Sequence, residues 1–287
     1  MIDEPIFKPY VFGQEEKAQM DQDGHFLLPG ILTDQACEKL VASMQHIEDL
    51  VQAGVQDPLP NRNAAEYDSY LASLIGHPQL LALARRVLGE NIRFDHCVTL
   101  NRPAGNAGLR WHSHEYAEDD PKLGFVRIFF YINGFTAGDA NLKAVPGSHL
   151  YRDRHINAAT DADLTAGWLA GKIHHVTGAP LQIEQLVAPP ATVALMWTHA
   201  AHAVNPSPIH QHSLVCSLCL SQSRPAFRSP LDHRCLCRQA TPRRGRVTEF
   251  VLMQQTAFKN AKFECGLQGL IRQIRPGSVQ SASACRL

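Results

Sequence analysis

The chain has 287 residues, enough for one large domain or two small ones with a sizeable buried core. Lysine plus arginine equals aspartate plus glutamate at 27 each, so no global field draws in nucleic acid or an anionic membrane, and a small molecule is the expected partner. The opening Met1-Ile2-Asp3-Glu4-Pro5 has neither a basic nor an apolar targeting region, and no uncharged apolar stretch is long enough for a bilayer, which reads as a cytoplasmic protein.

Asp23-Gly24-His25-Phe26-Leu27-Leu28-Pro29-Gly30 reads as a turn and a short strand. Thr33 then caps a helix whose apolar positions Ala36, Cys37, Leu40, Val41, Met44, Ile47 and Val51 follow helical spacing, with Gly54 at its end. A second helix runs from about Pro78 to Leu88, with proline suited to the first turn and Gly89 as the stop. From Ile92 the pattern turns to strands: 92–100, 125–132, 191–197 and 213–220 are short, apolar and rich in β-branched or aromatic residues. Four such strands with long connections suit an antiparallel jelly roll flanked by helices. The stretch 150–190 is a long insertion, helical around 161–170, of a size that commonly forms a lid or a substrate wall. The domain expected is 1–225, followed by an extension, 226–287, whose Arg243-Arg244-Gly245-Arg246 reads as a solvated turn and whose last dozen residues read as disordered.

The eight cysteines are irregularly spaced, as suits buried thiols in a reducing compartment. Cys216, Cys219, Cys235 and Cys237 suggest zinc by count. Positions i and i+3 of a strand, however, face opposite sides, and the second pair has one intervening residue.

Fifteen histidines is a high number, and their placement is informative. In Trp111-His112-Ser113-His114, two imidazoles two residues apart on a strand fall on one face and can reach one ion. Pro146-Gly147-Ser148-His149 and His199-Ala200-Ala201-His202 follow. A third histidine from a distant strand completes a facial triad, with open positions opposite it for oxygen and a substrate on iron.

Over about residues 20–225 the chain resembles the phytanoyl-CoA dioxygenase family of iron(II)- and 2-oxoglutarate-dependent oxygenases. The resemblance rests on the 23–30 segment, Trp111-His112, the strand Val126 to Ile132, Val145-Pro146-Gly147-Ser148-His149, and His202-Ala203-Val204-Asn205 after a Trp-containing strand. It implies a double-stranded β-helix, a cupin-like barrel, with Fe(II) as metal and 2-oxoglutarate as co-substrate. The family's His-x-Asp pair falls on His112 and His114, so an imidazole stands where the carboxylate ligand is expected. The distal histidine falls on His202; His199 is the competitor and fits the spacing less well. The family also carries an arginine about ten residues after that histidine, for the distal carboxylate of 2-oxoglutarate. Here His210, Gln211 and His212 occupy the place, and no lysine or arginine occurs from Ile173 to Ser223. Two residues remain as carboxylate partners: a protonated His212, and Arg127. On its strand Arg127 shares a face with Phe129 and Tyr131, opposite Val126, Ile128 and Phe130, which leaves it on either the interior or the outer surface.

Three functions are compatible with these residues. The first is a dioxygenase hydroxylating a small organic molecule with iron, 2-oxoglutarate and O2. The second is a three-histidine metal dioxygenase that does not use 2-oxoglutarate, for which His112-x-His114 with Glu118 gives a weak cupin-like match. The third is an inactive family member that binds a ligand on an inherited fold.

Overall fold

The computed structural model describes residues 4–114, 124–153, 156–207 and 213–222. His212, Glu118 and the extension 226–287, with Cys235 and Cys237, lie outside the described residues. In chain order the elements are α1 (Gln14–Asp23), β1 (His25–Leu28), α2 (Asp34–Gln52), α3 (Ala64–Tyr67), α4 (Ser69–Ile75), α5 (Pro78–Leu88), β2 (Ile92–Arg102), β3 (Leu109–His112), β4 (Phe125–Tyr131), β5 (Leu142–Ala144), β6 (Asn157–Ala158), α6 (Asp161–Ala166), β7 (Glu184–Gln185), β8 (Thr192–Trp197), β9 (His202–Val204) and β10 (Ser213–Gln222). A 3-10 turn covers Ser148–Tyr151. Among the described residues no helix is long and apolar enough to cross a membrane.

The helix signals act as their chemistry predicts. The Thr33 hydroxyl accepts from the Ala36 amide at the start of α2, and Pro78 opens α5, which Gly89 closes. Helix α6 ends at Ala166, earlier than its sequence pattern suggests, because Gly167 takes a non-helical conformation at its C-cap.

The strands form two five-stranded sheets in the orders β1-β8-β4-β10-β2 and β6-β3-β9-β5-β7. Every pairing within them is antiparallel, which gives the double-stranded β-helix expected of the family. Between the sheets lies a core that includes Phe129, Tyr131, Phe135, Leu142, Met196 and Val204. Helices α2, α3 and α5 pack on β2 and β10, with α4 among them. Burial on both faces explains why β4, β8 and β10 read as nearly continuous apolar runs rather than as alternating ones.

The insertion behaves differently from a lid. Ile156, Leu164, Leu169 and Leu181 pack with Trp111, Val145, Ala201 and Ala203. Trp111 and Ala203 project from β3 and β9 on the side opposite their neighbours His112 and His202. The described part of the insertion therefore braces the outer face of the second sheet, and it does so because its apolar residues have that sheet's back to bury against.

Two long-range contacts tie the N-terminal segment to the turn at 146–149. The Gly147 amide donates to the Asp23 carbonyl (3.0 Å), and His149 Nε2 donates to the Asp21 carbonyl (2.8 Å). Gly24 has φ +88°, and a Cβ there would stand 2.5 Å from His149 Nδ1. Only glycine meets both demands.

Candidate metal centre

The structure brings His112, His114 and His202 together. Their candidate ligand atoms all lie within 4.8 Å of one another, and they form the one such metal-competent group among the described residues. His112 on β3 stands directly opposite His202 on β9, and their ring centroids are 4.1 Å apart. A register shift between Leu109 and His112 adds a residue to β3, so Trp111 turns outward while His112 turns in. Strand β3 ends at His112, two residues earlier than the shared-strand argument requires. His114 nevertheless stays on the inner side because its amide donates to the Thr198 carbonyl (3.0 Å), and its ring lies 5.2 Å from His112 and 5.3 Å from His202.

Hydrogen bonds fix which ring nitrogens are available. A carbonyl only accepts, so His112 Nδ1–H donates to the Arg110 carbonyl (2.9 Å) and His202 Nδ1–H to the Ala200 carbonyl (2.8 Å). Both rings thereby keep the Nε2 lone pair free, the tautomer a metal ligand needs. His114 Nε2 is buried with no hydrogen-bond partner. Such an orphan is costly unless something occupies the space before it. Burial, reinforced by Arg127 and by the neighbouring imidazoles, pushes His114 down to about 3, and the same causes hold His202 well below the usual histidine value. His112 is lowered too, by burial first and then by Arg127, Arg110 and Arg102. All three are neutral at pH 7, and three neutral imidazoles with free lone pairs fit a divalent ion.

Neighbouring elements hold these rings in place. The Ala201 amide donates to Ser148 Oγ (2.8 Å) and the Val145 amide to the Ala201 carbonyl (3.0 Å), so the 145–149 turn anchors the entry to β9. Trp111 Nε1 donates to Asp161 (2.7 Å), which also pairs with Lys143, and that ammonium lies 5.2 Å over the indole ring. This clamp immobilises the residue before His112.

Arg127 lies on the inner face, with Phe129 and Tyr131, opposite Met196 on β8 and Cys219 on β10. Its Nε is buried without a hydrogen-bond partner, and one of its terminal nitrogens donates to His96 Nε2 (3.3 Å). His96, held down to about 4 by burial and by Arg127, is neutral and accepts through Nε2. His96 carries no metal-ligand spacing in the sequence, and the signal that could have found it is its place one strand from Arg127 through Cys219. His199 stands apart from the triad, stacked on Trp197 at 6.0 Å. Cys216 and Cys219 point to opposite faces of β10: Cys216 meets Cys97, sulfur to sulfur at 3.8 Å, while Cys219 faces Arg127.

Residues 20–211 match the family model described as Phytanoyl-CoA dioxygenase (PhyH). No curated protein matches the chain. Among solved structures it is similar to HygX from Streptomyces hygroscopicus with nickel and 2-oxoglutarate bound (14% identity, TM-score 0.54, 76% of this chain and 88% of that one). It is also similar to the non-heme alpha ketoglutarate dependent carbocyclase SnoK from nogalamycin biosynthesis (15%, 0.57, 74% and 84%). A third similar structure is a nickel complex of the non-heme monooxygenase ThoJ (16%, 0.53, 72% and 76%). At these identities the likeness is one of fold.

Proposed function

Since this chain belongs to the phytanoyl-CoA dioxygenase family, we propose that it is a non-haem iron, 2-oxoglutarate-dependent dioxygenase that hydroxylates a small organic molecule, with His112, His114 and His202 as the metal ligands. The observation that carries the reading is the convergence of these three neutral imidazoles from β3, its exit and β9 on one point between the sheets. Bound iron with a 2-oxo acid and O2 supplies the oxidising chemistry, coupling decarboxylation of the co-substrate to oxidation of the substrate. The chain's own residues hold and orient. Nδ1–H donation to the Arg110 and Ala200 carbonyls keeps two rings aimed inward, and the apolar floor of Phe129, Met196 and Ala200 limits water at the inner face. Arg127 sets a positive charge close enough to be felt by all three histidines, so an anionic group binding beside them meets a cation. The test is anaerobic loading with Fe(II), removal of unbound metal, and measurement of succinate and CO2 from 2-oxoglutarate on exposure to air. Stoichiometric iron with succinate formation lost in His202→Ala is the expected result; absence of retained iron would sink the proposal.

The imidazole at position 114 favours one alternative, a three-histidine dioxygenase that oxidises a chelating substrate without 2-oxoglutarate. Iron retention with no succinate at any 2-oxoglutarate concentration would select it.

A further inference from the structure

Resting on the co-substrate reading above, we propose that Arg102, at the inner end of β2, is the cation that receives the distal carboxylate of a 2-oxo diacid, with the Tyr131 hydroxyl as a second donor. The family's arginine for this carboxylate, as the resemblance places it, belongs about ten residues after His202, at the start of β10. The sequence has no lysine or arginine anywhere from Ile173 to Ser223. In the sheet, however, β10 begins with Ser213 directly opposite Arg102. The place left without a cation on one strand therefore has one on the strand beside it.

Strand β2 delivers that guanidinium to the right side. A bulge at Asp95 shifts its register, after which His96, Val98, Leu100 and Arg102 share a face. Leu100 packs against the core between the sheets, paired with Val215, which is paired in turn with Tyr131. Arg102 is thus on the inner face, one pleat beyond Leu100, and half-buried. It has no hydrogen bond or ion pair among the described residues, and neither does the Tyr131 hydroxyl. A half-buried guanidinium with no carboxylate beside it is available to an incoming anion, and its planar fork suits a bidentate carboxylate. Burial keeps the Tyr131 phenol protonated, hence a donor, and its charge environment is set by Arg102 and Arg127. His112 also lies within electrostatic reach of both guanidiniums, which places them on the side of the sheet that faces the triad. Arg127 and Arg102 divide the work by depth. Arg127 lies near the imidazoles and Arg102 beyond Tyr131, as two ends of a dianion require.

The experiment is calorimetry on the nickel-loaded protein, which supports binding without turnover, with 2-oxoglutarate and with 2-oxopentanoate, a 2-oxo acid of equal length lacking the distal carboxylate. The intact protein should prefer 2-oxoglutarate by about ten- to a hundredfold, the range for a charged bidentate contact. Arg102→Gln should erase that preference while leaving 2-oxopentanoate affinity unchanged; the retained binding also reports that the variant is folded. Arg102→Lys should keep part of it, and Tyr131→Phe should lose a smaller share. A preference undiminished in Arg102→Gln, or one removed by Arg127→Gln or His212→Gln instead, would overturn the assignment. If the intact nickel protein binds neither acid, the co-substrate reading itself fails, and the assignment with it; the two failures are separate in the data.

Discussion

With an imidazole at position 114, a divalent ion held as proposed has no anionic ligand within the triad, and the charged side chains that the triad feels among the described residues are arginines. Restoring a carboxylate there should pay an electrostatic dividend. His114→Asp is expected to tighten Fe(II) binding on the order of tenfold, about 1.4 kcal/mol, and to raise succinate formation; metal titration followed by the succinate assay measures both. Weaker iron binding in this variant would mean that the three-imidazole set is itself the optimum. Single residues differed in how readily the sequence disclosed them. His112 and His114 stand out because a two-residue spacing is visible without a structure, and His202 because of its distance from them. Arg102 and His96 do not. The bulge at Asp95 places Phe94, opposite Leu220, and His96, opposite Cys219, on different faces, so alternation counted forward from Ile92 and Phe94 marks the wrong side.

Elements as units explain how a short motif can matter far from the site. The turn at 146–149 serves as a joint between the N-terminal segment and the strand that delivers His202, and its tightness depends on Gly24 lying flat against His149. Gly24→Ala should cost about 1–3 kcal/mol, from a side chain forced to positive φ and from overlap with the His149 ring. Denaturant unfolding measures the loss. A change under about 0.5 kcal/mol would show that the joint gives way easily. Helices and strands with strong caps or long apolar runs, such as α2, α5 and β4, are readable from sequence because local chemistry decides them. The two-residue strands β6 and β7 are not, since they exist only by pairing with β3 and β5. The role of the insertion is hidden for the same reason: its apolar residues reveal that it buries something, but not which face it covers.

For the whole molecule, many histidines are kept neutral by burial. His96 and His149 are pushed down to about 4 and His199 to about 2, in each case by burial first. Their unfolded counterparts take up protons near 6.5, so the unfolded chain binds more protons below that pH and gains stability from acid. The stability from these groups is complete above about pH 6.5 and is lost as pH falls from there toward 4, each group adding a slope of up to about 1.4 kcal/mol per pH unit. Unfolding free energies of the metal-free protein from pH 8 to 5 should be flat at first and then fall steeply; a flat profile to pH 5 would contradict the buried neutral assignment. A different property follows from β1, whose four residues pair with Val193 to Met196 and form the rim of the first sheet. Without that strand, β8 would offer a row of unpaired backbone donors and acceptors along an apolar segment, a template for another chain's strand. Deleting residues 1–28 is therefore expected to make the protein adhesive, with concentration-dependent growth in mass by light scattering that the intact chain does not show. The N-terminal strand would then owe its presence as much to keeping neighbouring molecules apart as to holding this one together.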